Sequence, residues 1–160
     1  MTDVAWPAAV SRWVVGHYLR LPIWSRILAL LGWGSFLWYE SSLSPKPHQA
    51  HSMLRSWLYN AAHIPAFGGV ALLAACLVPP RARIGVGIAA SLCYGIVDEY
   101  HQSFTPGRTS SWTDVLSDTV GGAFALALFS WLVSGSARGR LWSLLLLPCA
   151  LAAPTLANLY

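Results

Sequence analysis

Charged side chains are scarce in this chain. Asp, Glu, Lys and Arg make up 10% of its 160 residues, against 56% hydrophobic residues, and the mean hydropathy is +0.52. About a quarter of the residues of a soluble domain are charged, so this composition lacks the polar surface that such a domain needs. The composition therefore predicts a membrane protein, and the length predicts one domain over residues 1–160.

The basic residues form no long run. The ten Lys and Arg, which give a formal net charge of +4, are scattered singly or in pairs. This pattern argues against a nucleic-acid-binding patch and is typical of charges that orient membrane helices. We expect the lipid bilayer as a partner and no nucleic acid.

Cysteine chemistry and metal chemistry have little support in the sequence. Cys76, Cys93 and Cys149 lie in apolar runs and show no CxxC spacing, so we interpret them as small buried hydrophobic side chains. No HExxH motif, Gly-rich phosphate loop or recognisable nucleophile signature occurs. We therefore expect no cofactor and no metal, although four carboxylates and two His leave a divalent cation as an alternative.

Long apolar runs are abundant instead. About 20 apolar residues cross roughly 30 Å of hydrocarbon as a helix. The predicted spans are 23–42, 57–78, 82–104, 114–133 and 141–160. Residues 4–20 are too polar to span and predict an interfacial helix that ends before Pro22. The predicted fold class is all-α, a polytopic membrane helix bundle of four to five transmembrane helices with an N-terminal interfacial helix.

The stretch 98–118 is the most polar part of this apolar sequence. It holds four of the six acidic residues. The mostly apolar run 84–97 is too short to cross a membrane, so the third span must extend to about residue 104 and take the polar residues after 97 with it. Ionisable groups inside a membrane are costly and mark functional sites.

Helical spacing groups these side chains. Asp98 and Glu99 lie four and three residues before Gln102, so at least one of the two carboxylates faces the bundle. A carboxylate at a helix C-terminus meets the negative end of the helix dipole and calls for a cationic partner. Arg108, in the hairpin after the third span, is the predicted partner of Glu99.

The neighbouring spans supply further polar groups. Asn60 and His63 share a face near the start of the second span, and Pro65 loosens the backbone there. Asp114 and Asp118 lie one turn apart at the start of the fourth span, with Ser111 or Thr113 as its N-cap. Small residues then follow at 121, 122, 123, 125 and 127, where another helix can approach closely or a second copy can pack.

The Lys and Arg distribution predicts the orientation. A cytoplasmic N-terminus puts seven basic residues inside and three outside, as the positive-inside rule prefers. The outside group is Lys46, Arg55 and Arg108. The 98–118 hairpin then faces the periplasm or the exterior. The ionisable groups of spans two, three and four lie about 6 to 9 Å below the outer boundary, which predicts one shared, outward-facing polar pocket.

The chemistry of these side chains predicts a role for each of them in the pocket. The catalytic group comprises Glu99, Asp114 and His63. The substrate-binding group comprises Arg108, Gln102, Asp118, Asn60, Asp98 and His101. An Arg fork beside the N-terminus of span four can hold a phosphate or carboxylate, and a buried Glu can act as acid or base. A purely structural Glu99–Arg108 ion pair remains an alternative.

Two segments resemble a known family. Residues 94–125, YGIVDEYHQSFTPGRTSSWTDVLSDTVGGAFA, resemble the signature of the VanZ-like family in an acidic residue and Gln three apart, then Arg, Asp and a small-residue helix. The matching positions are Glu99, Gln102, Arg108, Asp114 and Gly121 or Gly122. Residues 60–69, NAAHIPAFGG, are similar to the second-helix motif of that family. Asp118 is a departure, since many members carry Asn there.

The resemblance implies a protein of the bacterial cytoplasmic membrane, and some members are linked to reduced susceptibility to teicoplanin. One hypothesis is a protein that acts on or binds a cell-envelope lipid or lipid-linked precursor. The alternative is a non-catalytic accessory or binding membrane protein that affects glycopeptide susceptibility or partner assembly. The sequence does not decide whether the chain is an enzyme.

Overall fold

Every regular element in the described part of the chain is helical. The computed structural model describes residues 5–43, 57–58, 60–108 and 110–156. Its α-helices are α1 (Ala5–Arg20), α2 (Ile23–Ser42), α3 (His63–Ala75), α4 (Arg83–Gln102), α5 (Trp112–Ser134) and α6 (Ala137–Leu156), with a 3-10 turn at Pro80–Ala82. The predicted all-α class is confirmed.

The helix ends follow from local sequence. Pro22 separates α1 from α2. Between α4 and α5, the amide of Arg108 donates to the carbonyl of Thr105 (3.1 Å), and Gly107 has a φ of 81°. Those values fit the predicted turn, in which Pro106 and Gly107 take the central positions. Ser111 is the N-cap of α5, and its hydroxyl accepts from the amide of Thr113 (3.2 Å).

The α3 helix is shorter than the predicted span 57–78. Its 13 residues begin after a turn at Ala62, near Pro65, which has no amide hydrogen to donate to Ala61. The amide of Ala66 still donates to Ala62, and that of Ala62 to Leu58, so helical bonding continues across the irregularity. The predicted loop after Leu43, including Lys46 and Arg55, and the last four residues of the span 141–160 lie outside the described residues.

The α5 helix is at the centre of the bundle, where it packs against α1, α3, α4 and α6, while α2 packs against α3 and α4. Glycines of α5 allow the neighbouring helices to approach it closely, as its small-residue face predicts. A Cβ at Gly121 would lie 2.8 Å from the backbone of Ile64 in α3. A Cβ at Gly122 would lie 2.6 Å from the hydroxyl of Ser91 in α4. The α3 backbone and the Ser91 side chain of α4 therefore both lie directly against the backbone of α5.

The described interior holds almost as many polar as apolar residues, which is unusual for a soluble domain. Many of the buried side chains are polar: Ser41, Ser91, Asp98, Glu99, Gln102, Ser117, Asp118 and Ser143. The buried apolar residues are mostly small, whereas large apolar side chains lie on the outside of α2, α4 and α6. Trp24, Leu28, Leu31, Ile84, Trp142 and Leu144 are each more than half exposed.

The cysteines follow the same pattern. Cys76 is half-buried, but Cys93 and Cys149 are exposed, so their predicted burial is wrong. An apolar run in the sequence indicates that a segment is hydrophobic. In this fold the outer faces of the helices are apolar too, so the run does not indicate which residues are inside.

One described helix, Trp112–Ser134, is both long and apolar enough to cross a membrane by length and composition. The helices α2 and α4, each of 20 residues, are less apolar along their length. Glu40 and Arg26 lie in α2, and four polar residues end α4. The all-helical architecture is thus established for the described residues.

Replacing Gly121 by Ala should destabilise the protein by about 1 to 3 kcal/mol, because the new methyl group meets the Ile64 backbone at 2.8 Å. Thermal unfolding in detergent measures the effect. Gly85→Ala, in α4, is the matched control, because a Cβ there meets nothing within 4 Å. Equal unfolding temperatures for the two variants would contradict this account of the packing.

Candidate functional site

The first polar pair joins α3 to α5. The ring nitrogen Nδ1 of His63 lies 2.9 Å from Oδ1 of Asp118, which is fully buried. The backbone carbonyl of Asp118 accepts from the hydroxyl of Ser91 in α4 (2.8 Å). Its Oδ2 has no hydrogen-bond partner among the described residues and lies where a Cβ on Gly95 would be 3.1 Å away. Three helices therefore meet at Asp118.

The second pair lies within α4. The amide nitrogen of Gln102 donates to Oδ2 of Asp98 (2.8 Å), as the four-residue spacing predicts, and both residues are buried. The other oxygen of Asp98 is shielded from solvent and has no partner in the described part of the chain. A buried acceptor without a partner costs about 1 to 3 kcal/mol, so a donor at this position would be bound favourably.

A cavity of about 340 Å³ lies between α2, α3 and α4 and is lined by both polar and apolar side chains. The polar ones are Glu40, Ser41, His63, Asp98, Gln102 and Arg108. The apolar ones include Trp33, Phe36, Leu37 and Phe67. We call it the first cavity. Its lining suits a molecule that has a hydrogen-bonding group and an apolar group next to each other.

Arg108 connects the hairpin to the end of α2. Its Nη2 donates to the carbonyls of Glu40 and Leu43, each at 3.2 Å. Glu99 accepts instead from the backbone amide of Ser111, at 2.6 Å through Oε2. The predicted ion pair between Glu99 and Arg108 is therefore wrong.

Glu99 also lies apart from the first cavity. It lines a second cavity, of about 250 Å³, at the junction of α4 and α5. Consecutive residues of a helix point about 100° apart, so Asp98 and its neighbour Glu99 face different partners. The single pocket expected from the sequence is in fact two cavities.

The remaining predicted residues have different surroundings. The His101 ring stacks on Trp38 of α2 with 3.8 Å between centroids, and its Nδ1 lies 3.4 Å from the hydroxyl of Ser41. Asp114 is half-buried in the first turn of α5, within electrostatic range of His63 and Asp98. Asn60 is half-buried in the helical segment before α3. These three residues do not line either cavity.

The sequence reasoning missed the contribution of α2. Trp33, Phe36 and Leu37 form one wall of the first cavity, and the indole of Trp33 donates to the carbonyl of Ala66 in α3 (2.8 Å). Their spacing of three and four residues places them on one helix face, which is the signal that would have found them. Among the described residues, no group of three or more His, Cys, Asp or Glu is arranged to hold a metal ion.

The comparison with known proteins bears on all of these residues. A family model described as VanZ/LLP1 matches residues 16–133, which include α2 to α4, all of α5 except Ser134, and both cavities. No curated protein and no solved structure matches the chain.

A double-mutant cycle on His63→Ala and Asp118→Ala should give a coupling energy of at least about 1 kcal/mol in the free energy of unfolding, because the two side chains share a buried hydrogen bond. Denaturant unfolding in detergent measures it. The matched control cycle pairs Asp118→Ala with His101→Ala, whose ring stacks on α2, and should be additive. Additivity in both cycles would mean that the His63–Asp118 bond does not stabilise the fold.

Proposed function

The chain belongs to the VanZ/LLP1 family, and we propose that it is an integral membrane protein whose first cavity binds the polar headgroup of a cell-envelope lipid or lipid-linked precursor. This proposal includes a bundle of four to five spans in the bacterial cytoplasmic membrane, with the N-terminus in the cytoplasm. The hairpin between α4 and α5 then faces outward.

The distribution of polar groups supports the membrane placement. Large exposed apolar side chains on α2, α4 and α6 would need covering in water, whereas lipid tails cover them. Each of these helices has 20 residues, about 30 Å at 1.5 Å per residue, which matches the hydrocarbon thickness. Small interior residues and hydrogen bonds between helices are typical of membrane bundles.

One observation carries the ligand proposal, and it concerns Asp98. This side chain is 4% exposed and lines the first cavity, and its Oδ1 has no partner among the described residues. A ligand O–H or N–H group would supply the missing donor. Arg108 is the group in this lining that would pair with an anionic group, next to the carboxylates of Glu40 and Asp98, and the wall of Trp33 and Phe36 suits an alkyl chain. A lipid-linked sugar phosphate has all three features.

The roles follow from these contacts. Gln102 orients Asp98 through the 2.8 Å hydrogen bond, so it is a positioning residue. His63, oriented by Asp118, is a second group beside the cavity that can accept or donate a proton. If the protein turns over its ligand, we propose that Asp98 and His63 move the proton. Without turnover, the same contacts would only hold the headgroup.

Asp98→Asn should lower the amount of bound ligand about tenfold, because the side-chain oxygen of Asn can keep the Gln102 bond only by turning its NH₂ group towards the ligand donor. Arg108→Gln should have a similar effect. Mass spectrometry of lipids that copurify with the protein in mild detergent measures the ratio of each lipid to protein. Arg138→Gln, exposed at the start of α6, is the matched control.

Identical copurifying lipids in wild type, Asp98→Asn and Arg108→Gln would overturn the proposal. The identified ligand is then incubated with the wild-type protein. A new product that Asp98→Asn fails to form makes the protein an enzyme. An unchanged ligand makes it a binding or accessory protein.

The orientation predicts opposite labelling of the α4–α5 hairpin and the C-terminal end of α5. In a variant without native cysteines, Pro106→Cys should react with a membrane-impermeant maleimide added to intact cells. Ser134→Cys, also exposed, should react only after permeabilisation. The reverse pattern would show that the N-terminus is outside.

A further inference from the structure

The second cavity contains a carboxylate that the proposed function does not use. It is lined by Glu99, Tyr100, Ser103, Ser111 and Trp112, among others, and has a volume of about 250 Å³. Glu99 is 6% exposed, and its Oε1 is shielded from solvent without a hydrogen-bond partner in residues 5–43, 57–58, 60–108 and 110–156. Leaving such an oxygen unpaired is costly, so it requires a donor.

Glu99 is held so that one oxygen stays available. The amide of Ser111, just before the first turn of α5, donates to Oε2 at 2.6 Å. This contact lies at the N-terminus of a helix, where the positive end of the dipole offsets part of the repulsion between Glu99 and its acidic neighbours. The same bond fixes the side chain beside the cavity, so a ligand finds Oε1 already positioned.

The charge around this oxygen favours a cation over a neutral donor. Within the described ranges, the charged side chains that act on Glu99 are Asp98, Asp114 and Asp118, all acidic. Glu99 also lies in the last turn of α4, where the helix dipole is negative. Arg108, the nearest Lys or Arg in the sequence, donates to carbonyls at the end of α2 instead, and the ring of His101 stacks on Trp38.

The rim of the cavity is aromatic. Trp112 is 76% exposed and Tyr100 is 69% exposed, and both line the same cavity as Glu99. The faces of such rings attract cations, by about 0.5 to 1 kcal/mol at exposed sites. A carboxylate at the base and aromatic rings at the rim recognise an alkylammonium group.

We propose that the cavity between α4 and α5 is a second binding site, specific for an alkylammonium group, in which Glu99 binds the charge and Trp112 and Tyr100 cover it. This site is distinct from the first cavity and does not depend on the ligand proposed for that cavity. The ammonium group comes either from a lipid headgroup of the outer leaflet or from a soluble amine.

The probes are phosphatidylethanolamine and phosphatidylglycerol with identical acyl chains, together with free ethanolamine. They are titrated into the full chain, delipidated in detergent, and binding is read by native mass spectrometry. Wild type should bind phosphatidylethanolamine at least about tenfold more tightly than phosphatidylglycerol, because a hydrogen bond to a charged group adds about 1.5 to 3 kcal/mol. Competition by free ethanolamine would identify a soluble amine as ligand, and its absence a lipid headgroup.

Glu99→Gln should remove this preference, with phosphatidylglycerol binding unchanged, since Gln can still accept from Ser111 but carries no charge. Glu40→Gln removes the other Glu of the chain, which lines the first cavity and not the second, and should retain the preference. Trp112→Leu changes an exposed side chain, so folding is preserved, and should weaken phosphatidylethanolamine binding about two- to fivefold.

Equal binding of the two lipids by wild type would overturn the proposal, as would a preference that survives in both Glu99→Gln and Trp112→Leu. These results are separable from those on the first cavity. Asp98→Asn and Arg108→Gln should leave the preference for phosphatidylethanolamine intact even if they abolish ligand binding between α2, α3 and α4.

Discussion

The fold depends on the burial of Asp118. Its carboxylate accepts from His63 of α3, its backbone carbonyl accepts from Ser91 of α4, and it belongs to α5. A fully buried carboxylate is stable only with hydrogen-bonding partners, so these three helices must keep their register. Gly95 is part of the same constraint, because a side chain there would occupy the space beside Oδ2. The hydrogen bonds of Asp118 and the packing of α3 and α4 against α5 therefore depend on each other.

Much of the fold could be predicted because its signals are local. Apolar runs broken by Pro and Gly locate the helices within a few residues, and the Pro106–Gly107 turn and the Ser111 cap follow from the preferences of those residue types. The small-residue face of α5 correctly indicated close contacts with other helices. The extent of α3 was less predictable, because it depends on how the backbone around Pro65 satisfies its hydrogen bonds.

The sequence indicated which polar residues share a helix face, but not which partners they contact in the fold. Helical spacing shows which residues share a face, and so it indicated the bond between Asp98 and Gln102. It does not show which neighbour that face meets. The sequence therefore predicted an ion pair between Glu99 and Arg108. In the structure Glu99 accepts from the amide of Ser111, and Arg108 donates to a carbonyl at the end of α2. Contacts across 60 or more residues depend on the tertiary arrangement, and a single sequence contains no measure of it.

The attachment of α2 to the bundle uses main-chain acceptors. Arg26 donates to the carbonyl of Cys76, Trp33 to that of Ala66, Arg108 to those of Glu40 and Leu43, and Tyr94 to that of Gly34. A carbonyl oxygen is present whatever side chain its residue bears. Over evolutionary time the accepting positions are thus free to vary in side chain, while the four donors are not. Homologous chains should therefore retain the cavity wall through these donors even where the surrounding sequence has diverged beyond easy alignment.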